Sequence, residues 1–546
     1  MAAEEVSVAG IRIHSSNFNK SRGRSYYNSL SLLDMNHARL QMNDKNSDSI
    51  TPNISSIDGL PEDALFRSIK WSPDSNFLSF LLVVENEVQL WITDVKTKKA
   101  YQVTGNINAS LPINSYIWKS NSRDLILLKA SNKDKSIPKA PIPPFSPSIR
   151  SNLSGKKATA RTYQNLLTSN HDENLFKFFC TSVVAKVSIN EDGEKLSEEV
   201  YEPTNGIIQS FSVSPDGNYL FTHSIEEPFS YLVPYSRFPH VNQVWNFNTS
   251  PLQEIFKQNL PLQEQVPSIH DAVSIGPRYI GWIPTSDNTL YWVEAQDEGD
   301  PKNDVEIRDH LYTLSAPFTD EPELFQTFQS RFYDIDFCEN GFVWSQERQW
   351  KNRWSKVYKI DIDNFKPISK DLIFDRSYED VYNSPGSIWI NKNSKGKFVI
   401  PFKDDKIILE SPGATPDGYK PFLDRFDVKT KESTRIWRCE EGVFERVHIL
   451  LEDDASQFLT YRESESTQPN IWMYSKDNDG NYQKKQLSNF PHPYPWLDDI
   501  KKEIVTYNRP DGVLLSGKLL LPNSFKVNED APLPMVCIKD SLVIYN

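Results

Sequence analysis

Cysteine is scarce. Cys180, Cys338, Cys439 and Cys537 stand far apart in 546 residues, with no Cys-x-x-Cys and no Cys/His ligand spacing. That excludes a disulfide framework or zinc site legible from spacing and favours a reducing compartment. Basic residues are in deficit too: 60 Lys and Arg face 73 Asp and Glu, a net charge of −13. Nucleic-acid binders draw affinity from neutralising phosphates, so no nucleic-acid partner is expected. No run of about 20 apolar residues occurs, so no membrane span is expected and the protein reads as soluble. Met1–Gly10 carries Glu4 and Glu5, without the basic and apolar regions of a secretory signal, and is too acidic for a transit peptide. There is no Gly-rich phosphate loop, EF-hand loop or His-Glu-x-x-His pair, and no cofactor or metal is expected. The nine His are scattered.

Aromatic residues are plentiful: 13 Trp, 23 Tyr and 30 Phe against only 20 Gly. Such side chains suit a pleated surface, and the chain reads as many short strands with turn punctuation. In the clearest unit, Ser68–Thr104, Ser68-Ile69-Lys70-Trp71 leads through Ser72-Pro73-Asp74-Ser75 into strands at 76–84, 87–93 and 100–103. Val88–Ile92 alternates as a half-buried strand should. The phrase recurs at Ser210–Ser224 around Ser214-Pro215-Asp216-Gly217, at Ser115–Leu128 and at Gly281–Val293. Four-stranded repeats of roughly 40–60 residues predict a β-propeller, with two unrelated β-sandwiches as the competing architecture.

The Pro-rich run Ile137–Ser148 and the helix-spaced stretch within Ala158–Phe179 read as an arm and helix (137–179) inserted between blades, or as a surface loop. Asn43–Ser56 is polar enough for disorder. At Asp498 the pattern changes: a Pro-rich linker (491–497) precedes strand Lys502–Tyr507, turn Arg509–Gly512 and strand Val513–Leu521. Residues 498–546 therefore read as the beginning of a second domain, too short to complete a fold of about 100–200 residues. The division expected is an N-terminal segment with room for an incomplete first blade (1–56), a propeller (57–490), the linker and this incomplete domain.

A propeller followed by strand, Asp-Gly turn, strand and Leu-Pro resembles the prolyl oligopeptidase family of serine peptidases, and more narrowly its glutamyl endopeptidase branch. The phrases that carry the resemblance include Ala9–Ile13, Ala160–Leu167, Asp172–Phe176, Ser236–Pro239, Thr289–Asp297, Arg308-Asp309, Phe490–Pro495 and Arg509–Val513. They stand in the family's order between about residues 9 and 536; Cys537–Asn546 departs from it. The resemblance implies an all-β fold, a propeller of seven blades followed by the first strands of an α/β-hydrolase domain. It also implies hydrolysis of peptides after Glu, and a plastid stroma or cytoplasm location. The catalytic Ser, His and Asp would lie beyond residue 546. None of the 20 Gly begins the Gly-x-Ser-x-Gly elbow on which such a Ser sits, so no catalytic residue is assigned.

Glu294 and Asp297 fall at a strand end where they can face a peptide's charged ends, and Arg237 and Arg308 can pair with an acidic side chain. These four are the candidate substrate-binding residues; a solvated turn for the carboxylates and ion pairs within a blade for the arginines are the structural alternatives. A catalytically inactive propeller that binds peptides or proteins is the alternative function.

Overall fold

The Ser-Pro-Asp phrase builds the same turn twice. In the first, Ser72 Oγ donates to Asp74 Oδ1 (2.6 Å), Asn76 N donates to that carboxylate oxygen (3.1 Å), and Phe77 N donates to Ser72 Oγ (3.0 Å). In the second, Ser214 donates to Asp216, Asn218 N to Asp216 Oδ1 (3.0 Å) and Tyr219 N to Ser214 Oγ (3.0 Å). Short polar side chains thus satisfy the backbone that reverses between strands.

The computed structural model describes residues 5–21, 25–42, 47–111, 114–140, 162–201, 204–464, 467–492, 495, 500–512, 514–522, 524–526 and 531–536. Among these, strands dominate, and seven sheets have four antiparallel strands each. Sheet 1 comprises Leu65–Trp71, Phe77–Val83, Val88–Asp94 and Ala100–Thr104. Sheet 2 comprises Tyr116–Trp118, Asp124–Ala130, Ser182–Ile189 and Lys195–Val200, and sheet 3 Ile207–Val213, Tyr219–Ile225, His240–Asn246 and Gln253–Leu260. Sheet 4 comprises Arg278–Trp282, Thr289–Ala295, Asp309–Ser315 and Glu323–Phe328, and sheet 5 Arg331–Cys338, Phe342–Gln349, Trp354–Asp363 and Lys366–Ser377. Sheet 6 comprises Ser387–Ile388, Lys406–Ser411, Phe422–Asp427 and Ser433–Arg438, and sheet 7 Phe444–Leu450, Gln457–Glu463, Asn470–Lys476 and Tyr482–Gln486.

The apolar clusters fall between successive sheets. Leu90 and Ile92 of sheet 1 join Leu125 and Val187 of sheet 2; Ile126 and Val184 of sheet 2 join Phe211 and Trp245 of sheet 3. The pattern continues through Phe221 with Trp292, Val293 with Phe337, Trp344 with Phe426, and Leu423 with Phe458. The outer faces of the first and seventh sheets are covered by one N-terminal stretch. Its helix α1 (Met35–Met42) sets Ala38 and Met42 against Leu459 and Met473 of sheet 7, while Ile57 and Leu32 lie against Phe80 and Trp91 of sheet 1. Polar contacts repeat the connection: Arg39 meets Glu452 (3.0 Å), Ile50 N donates to Gln486 O (2.8 Å) and Asp58 N to Lys98 O (2.9 Å).

Burial on two faces corrects the half-buried expectation for Val88–Ile92. Trp91 and Ile92 point to opposite faces, yet both are buried, because a neighbour packs on each side. The inserted helix is α2 (Asn170–Cys180), capped by Ser169 and burying Phe176 and Phe179. It lies within sheet 2, between the second and third strands, and not between successive sheets. Polar stretch 43–56 contains the strand Ile54–Ser56, paired with Ser31–Leu33. Most of the Pro-rich run, the Ala160-Arg161 start of its motif, most of the 491–497 linker and Cys537–Asn546 lie outside the described residues.

One loop of sheet 6 departs from its counterparts. Between Ser387–Ile388 and Lys406–Ser411 the chain makes a small hairpin, Asn391–Lys392 with Phe398–Val399. It touches the corresponding turns of other sheets. Asn391 Nδ2 donates to Asp453 (2.9 Å), Asn393 Nδ2 to Glu339 (2.8 Å) and Lys397 Nζ to Val213 O (2.9 Å), while Lys395 pairs with Asp287 (2.8 Å). Gly396, at φ +73°, would place a Cβ 3.2 Å from Pro73 Cγ of sheet 1. The hairpin is therefore a crossbar over the ends of sheets 1, 3, 4, 5 and 7.

After the seventh sheet, Ile500–Asn508 pairs with Leu514–Pro522 in a two-stranded hairpin whose Ile504, Leu514 and Leu520 are exposed. Among the described residues no helix is long and apolar enough to cross a membrane.

The Ala38→Glu variant tests the covering role of α1. It forces a carboxylate into an apolar contact and is expected to destabilise the protein by about 3 kcal/mol or more. Amide hydrogen exchange should then quicken in sheets 1 and 7 together, although they are remote in sequence.

Candidate functional site

Among the described residues, the largest linked set of ion pairs lies where sheet 4 meets sheet 5. Asp297 follows the second strand of sheet 4, and Asp309 opens the third; both side chains are fully buried. Arg331, the first residue of sheet 5, bridges them, with Nη2 2.5 Å from Asp297 and Nη1 2.9 Å from Asp309. Arg308 pairs with Asp297 (2.8 Å) and Arg278 with Asp309 (2.6 Å). Backbone donors complete the carboxylates: Gly299 N to Asp297 (3.1 Å) and Phe332 N to Asp309 (2.7 Å). Arg331 Nε donates to Asp271 O (2.9 Å), tying in a loop before sheet 4. The ion pairs and hydrogen bonds to Arg331 outweigh burial and raise its pKa further, whereas burial lowers that of Arg278.

The four residues singled out from sequence are thereby located. Asp297 and Arg308 meet directly. Glu294, half-buried on the same strand end, accepts a hydrogen bond from Trp292 Nε1 (2.7 Å) and makes no ion pair among the described residues. Arg237 stands elsewhere, in the 3-10 turn Tyr235–Arg237, and donates to Val266 O (3.3 Å). Arg331, Arg278 and Asp309 complete the cluster. Arg308-Asp309 was a visible phrase, but pairing with Arg331 joins two sheets and has no local spacing to reveal it.

A second polar feature lies in sheet 3. His223 and His240 stack with ring centroids 4.4 Å apart. His240 Nδ1 donates to Phe238 O (2.6 Å), and His223 Nδ1 lies 2.6 Å from Asn242 Oδ1. Burial lowers both pKa values; at His240, where the neighbouring His223 ring adds a smaller push in the same direction, the value falls to about 3. Among the described residues no group of three His, Cys, Asp or Glu side chains is placed to hold a metal ion.

Arg331→Met leaves two buried carboxylates short of a partner and should cost about 3–5 kcal/mol in urea unfolding. Arg237→Met removes only a long, half-exposed hydrogen bond and should cost about 0.5 kcal/mol. For the histidines, the unfolded chain takes up protons below pH 6.5, but folded His240 does so only near pH 3. Stability should therefore be fully retained above pH 6.5 and fall as pH drops from 6.5 toward 3. Unfolding midpoints across this range should slope less in His240→Gln.

Comparison with known proteins finds two sequence relatives. Two proteins described as "Probable glutamyl endopeptidase, chloroplastic", from Oryza sativa subsp. japonica and Arabidopsis thaliana, are each 32% identical to the chain over 98% of its length. The chain spans 57% and 56% of those relatives, little more than half. No family model matches. Among solved structures, an acylaminoacyl peptidase in complex with Z-Gly-Gly-Phe-chloromethyl ketone aligns at TM-score 0.41 and 11% identity, covering 86% of this chain and 59% of that one. Prolyl oligopeptidase B from Galerina marginata aligns at 0.43 and 10%, covering 85% and 56%. An oligogalacturonate lyase in complex with manganese reaches 0.38 and 11%, covering 75% and 88%. Structural likenesses of this size carry no argument about function. The sequence relationship is the firmer likeness: along 98% of its length the chain is similar to the two proteins described as probable glutamyl endopeptidases, in keeping with its ordered motifs.

Proposed function

We propose that this chain is the propeller portion of a glutamyl-endopeptidase-like serine peptidase that hydrolyses peptides after Glu. The observation that carries the reading is 32% identity sustained over 98% of the chain. Seven four-stranded sheets packed in sequence order, with one N-terminal stretch covering the first and the last, support a closed seven-bladed ring. The exposed apolar hairpin 500–522 is then the start of the hydrolase sheet. Its remaining strands, with the Ser, His and Asp of the triad, belong to parts of the longer protein outside these 546 residues.

In this reading the ring admits peptides and excludes folded proteins, and the 391–399 crossbar narrows one end of its axis. Arg237, Glu294 and Arg308 are partly exposed and are proposed to meet the peptide, with Asp297 acting through Arg308. Both relatives are described as chloroplastic, and the plastid is the compartment proposed for the longer protein.

The test compares this chain with the longer protein from the same gene. The longer protein should react with a fluorophosphonate probe and cleave a Glu peptide at least about 10-fold faster than its Gln counterpart, the size of one charge-assisted hydrogen bond. The 546-residue chain should do neither. An unreactive longer protein, or a reactive 546-residue chain, contradicts the proposal.

A further inference from the structure

The first strand of sheet 6 is only two residues long. Ser387–Ile388 pairs with Leu409 and Glu410 alone, so it covers only part of the facing side of sheet 5. A cavity of about 360 Å³ remains between that face and residues 384–390. Its volume falls within the range of small-ligand sites. Tyr333, Trp344, Phe374 and Tyr378 contribute aromatic walls.

The cavity is charged with opposite sign at its two ends. The strand register sets Arg348 opposite Arg331, Gln346 opposite Asp334 and Trp344 opposite Asp336. Arg348 therefore lies four residues along the sheet from the level of Asp336, a backbone span of about 13 Å. At one end the Arg348 guanidinium lies 3.4 Å from the Tyr333 ring centroid and 5.3 Å from that of Tyr378. These rings hold it flat without neutralising it.

Neither end has its charge partner. Arg278, Arg308, Arg331, Arg435 and Arg462 each hold a carboxylate. Arg348 holds none among the described residues, and its Nε is buried without a hydrogen-bond partner. Adjacent Glu347 is committed elsewhere, accepting from Tyr358 Oη (3.0 Å) and Ser330 N (3.1 Å). At the other end Asp336 has no hydrogen-bond or ion-pair partner among the described residues. Burial and neighbouring Asp334 push its pKa up to about 7. A ligand bringing an anion to one end and a cation to the other relieves both unmet charges.

We propose that this cleft is a binding site for a short extended peptide of about four residues, its acidic group on Arg348 and its free amino group at Asp334 and Asp336. The four-residue span from Arg348 to the level of Asp336 is longer than a single amino acid, whose charges lie too close together to engage both. Aromatic walls suit the intervening apolar stretch, and Gln346 and Ser384 offer polar contacts to its amides. The site stands on the cavity alone. It is tested by binding to this chain, independently of whether the longer protein cleaves peptides.

Isothermal titration of the 546-residue chain with Gly-Ala-Ala-Glu is the direct experiment. Binding is expected to weaken at least about 10-fold when the peptide is N-acetylated, and likewise when Glu is replaced by Gln amide. Those comparisons need no protein variant. Arg348→Met should weaken Gly-Ala-Ala-Glu to a similar degree, and Asp336→Asn should affect the free-amino peptide more than the acetylated one. Thermal melts of both variants check that they fold. No heat of binding up to about 10 mM peptide overturns the proposal. So do equal affinities for charged and blocked peptides, free glutamate binding as tightly as the tetrapeptide, or a folded Arg348→Met that binds unchanged.

Discussion

Face-to-face packing of consecutive sheets is the constraint on which the rest of this structure depends. The middle strands are apolar on both sides, so a sheet standing alone exposes at least one face of Phe, Trp, Leu and Val. Each large side chain covered contributes about 1.5–3 kcal/mol, which one four-stranded sheet cannot gather by itself. Sheets 2–6 find cover in their sequence neighbours. The first and the seventh each have one neighbour in that order, and the stretch containing α1 supplies the other. Ala38 and Met42 on sheet 7, with Leu32 and Ile57 on sheet 1, turn a row of sheets into an arrangement with both ends covered.

That arrangement determines what the charged residues can do. The Asp297–Arg331–Asp309 bridge binds sheet 4 to sheet 5 at full burial, where an unmatched charge is expensive. Arg308 is held by the same carboxylate and so presents its remaining edge in a fixed orientation. The crossbar at 391–399 acts at longer range, drawing together the ends of sheets 3, 4 and 5, of which sheets 3 and 5 share no apolar cluster. The two-residue strand preceding it opens the cleft on sheet 5. One irregular segment of sheet 6 therefore accounts for both the bridged sheet ends and the pocket.

Much of the fold was legible because its signals are local. Ser72–Ser75 and Ser214–Gly217 carry turn chemistry within a few residues, and the strands after them follow. The hairpin around Arg509–Gly512 was legible for the same reason. Alternation in Val88–Ile92 misled because it reports one buried face, whereas two neighbours bury both. Helix α2 was visible as apolar spacing, but its place inside sheet 2 depends on a strand pairing that spans 50 residues or so of intervening chain. The candidate site was legible in part. Arg308 and Asp297 meet as ion partners, but Arg331 and the unpartnered Arg348 take their roles from contacts between sheets, which no spacing in the sequence encodes.

The arrangement of the sheets is most directly measured by distances between spin labels on exposed outer strands. Cysteine substitutions at Gln102 (sheet 1), Ser197 (sheet 2), Glu323 (sheet 4) and Gln483 (sheet 7) suit double electron–electron resonance in a Cys537→Ser background, since Cys180, Cys338 and Cys439 are buried. A closed ring predicts that the Gln102–Gln483 pair lies about as close as Gln102–Ser197 and closer than Gln102–Glu323. A Gln102–Gln483 distance longer than Gln102–Glu323 would mean an open row of sheets and would contradict the account.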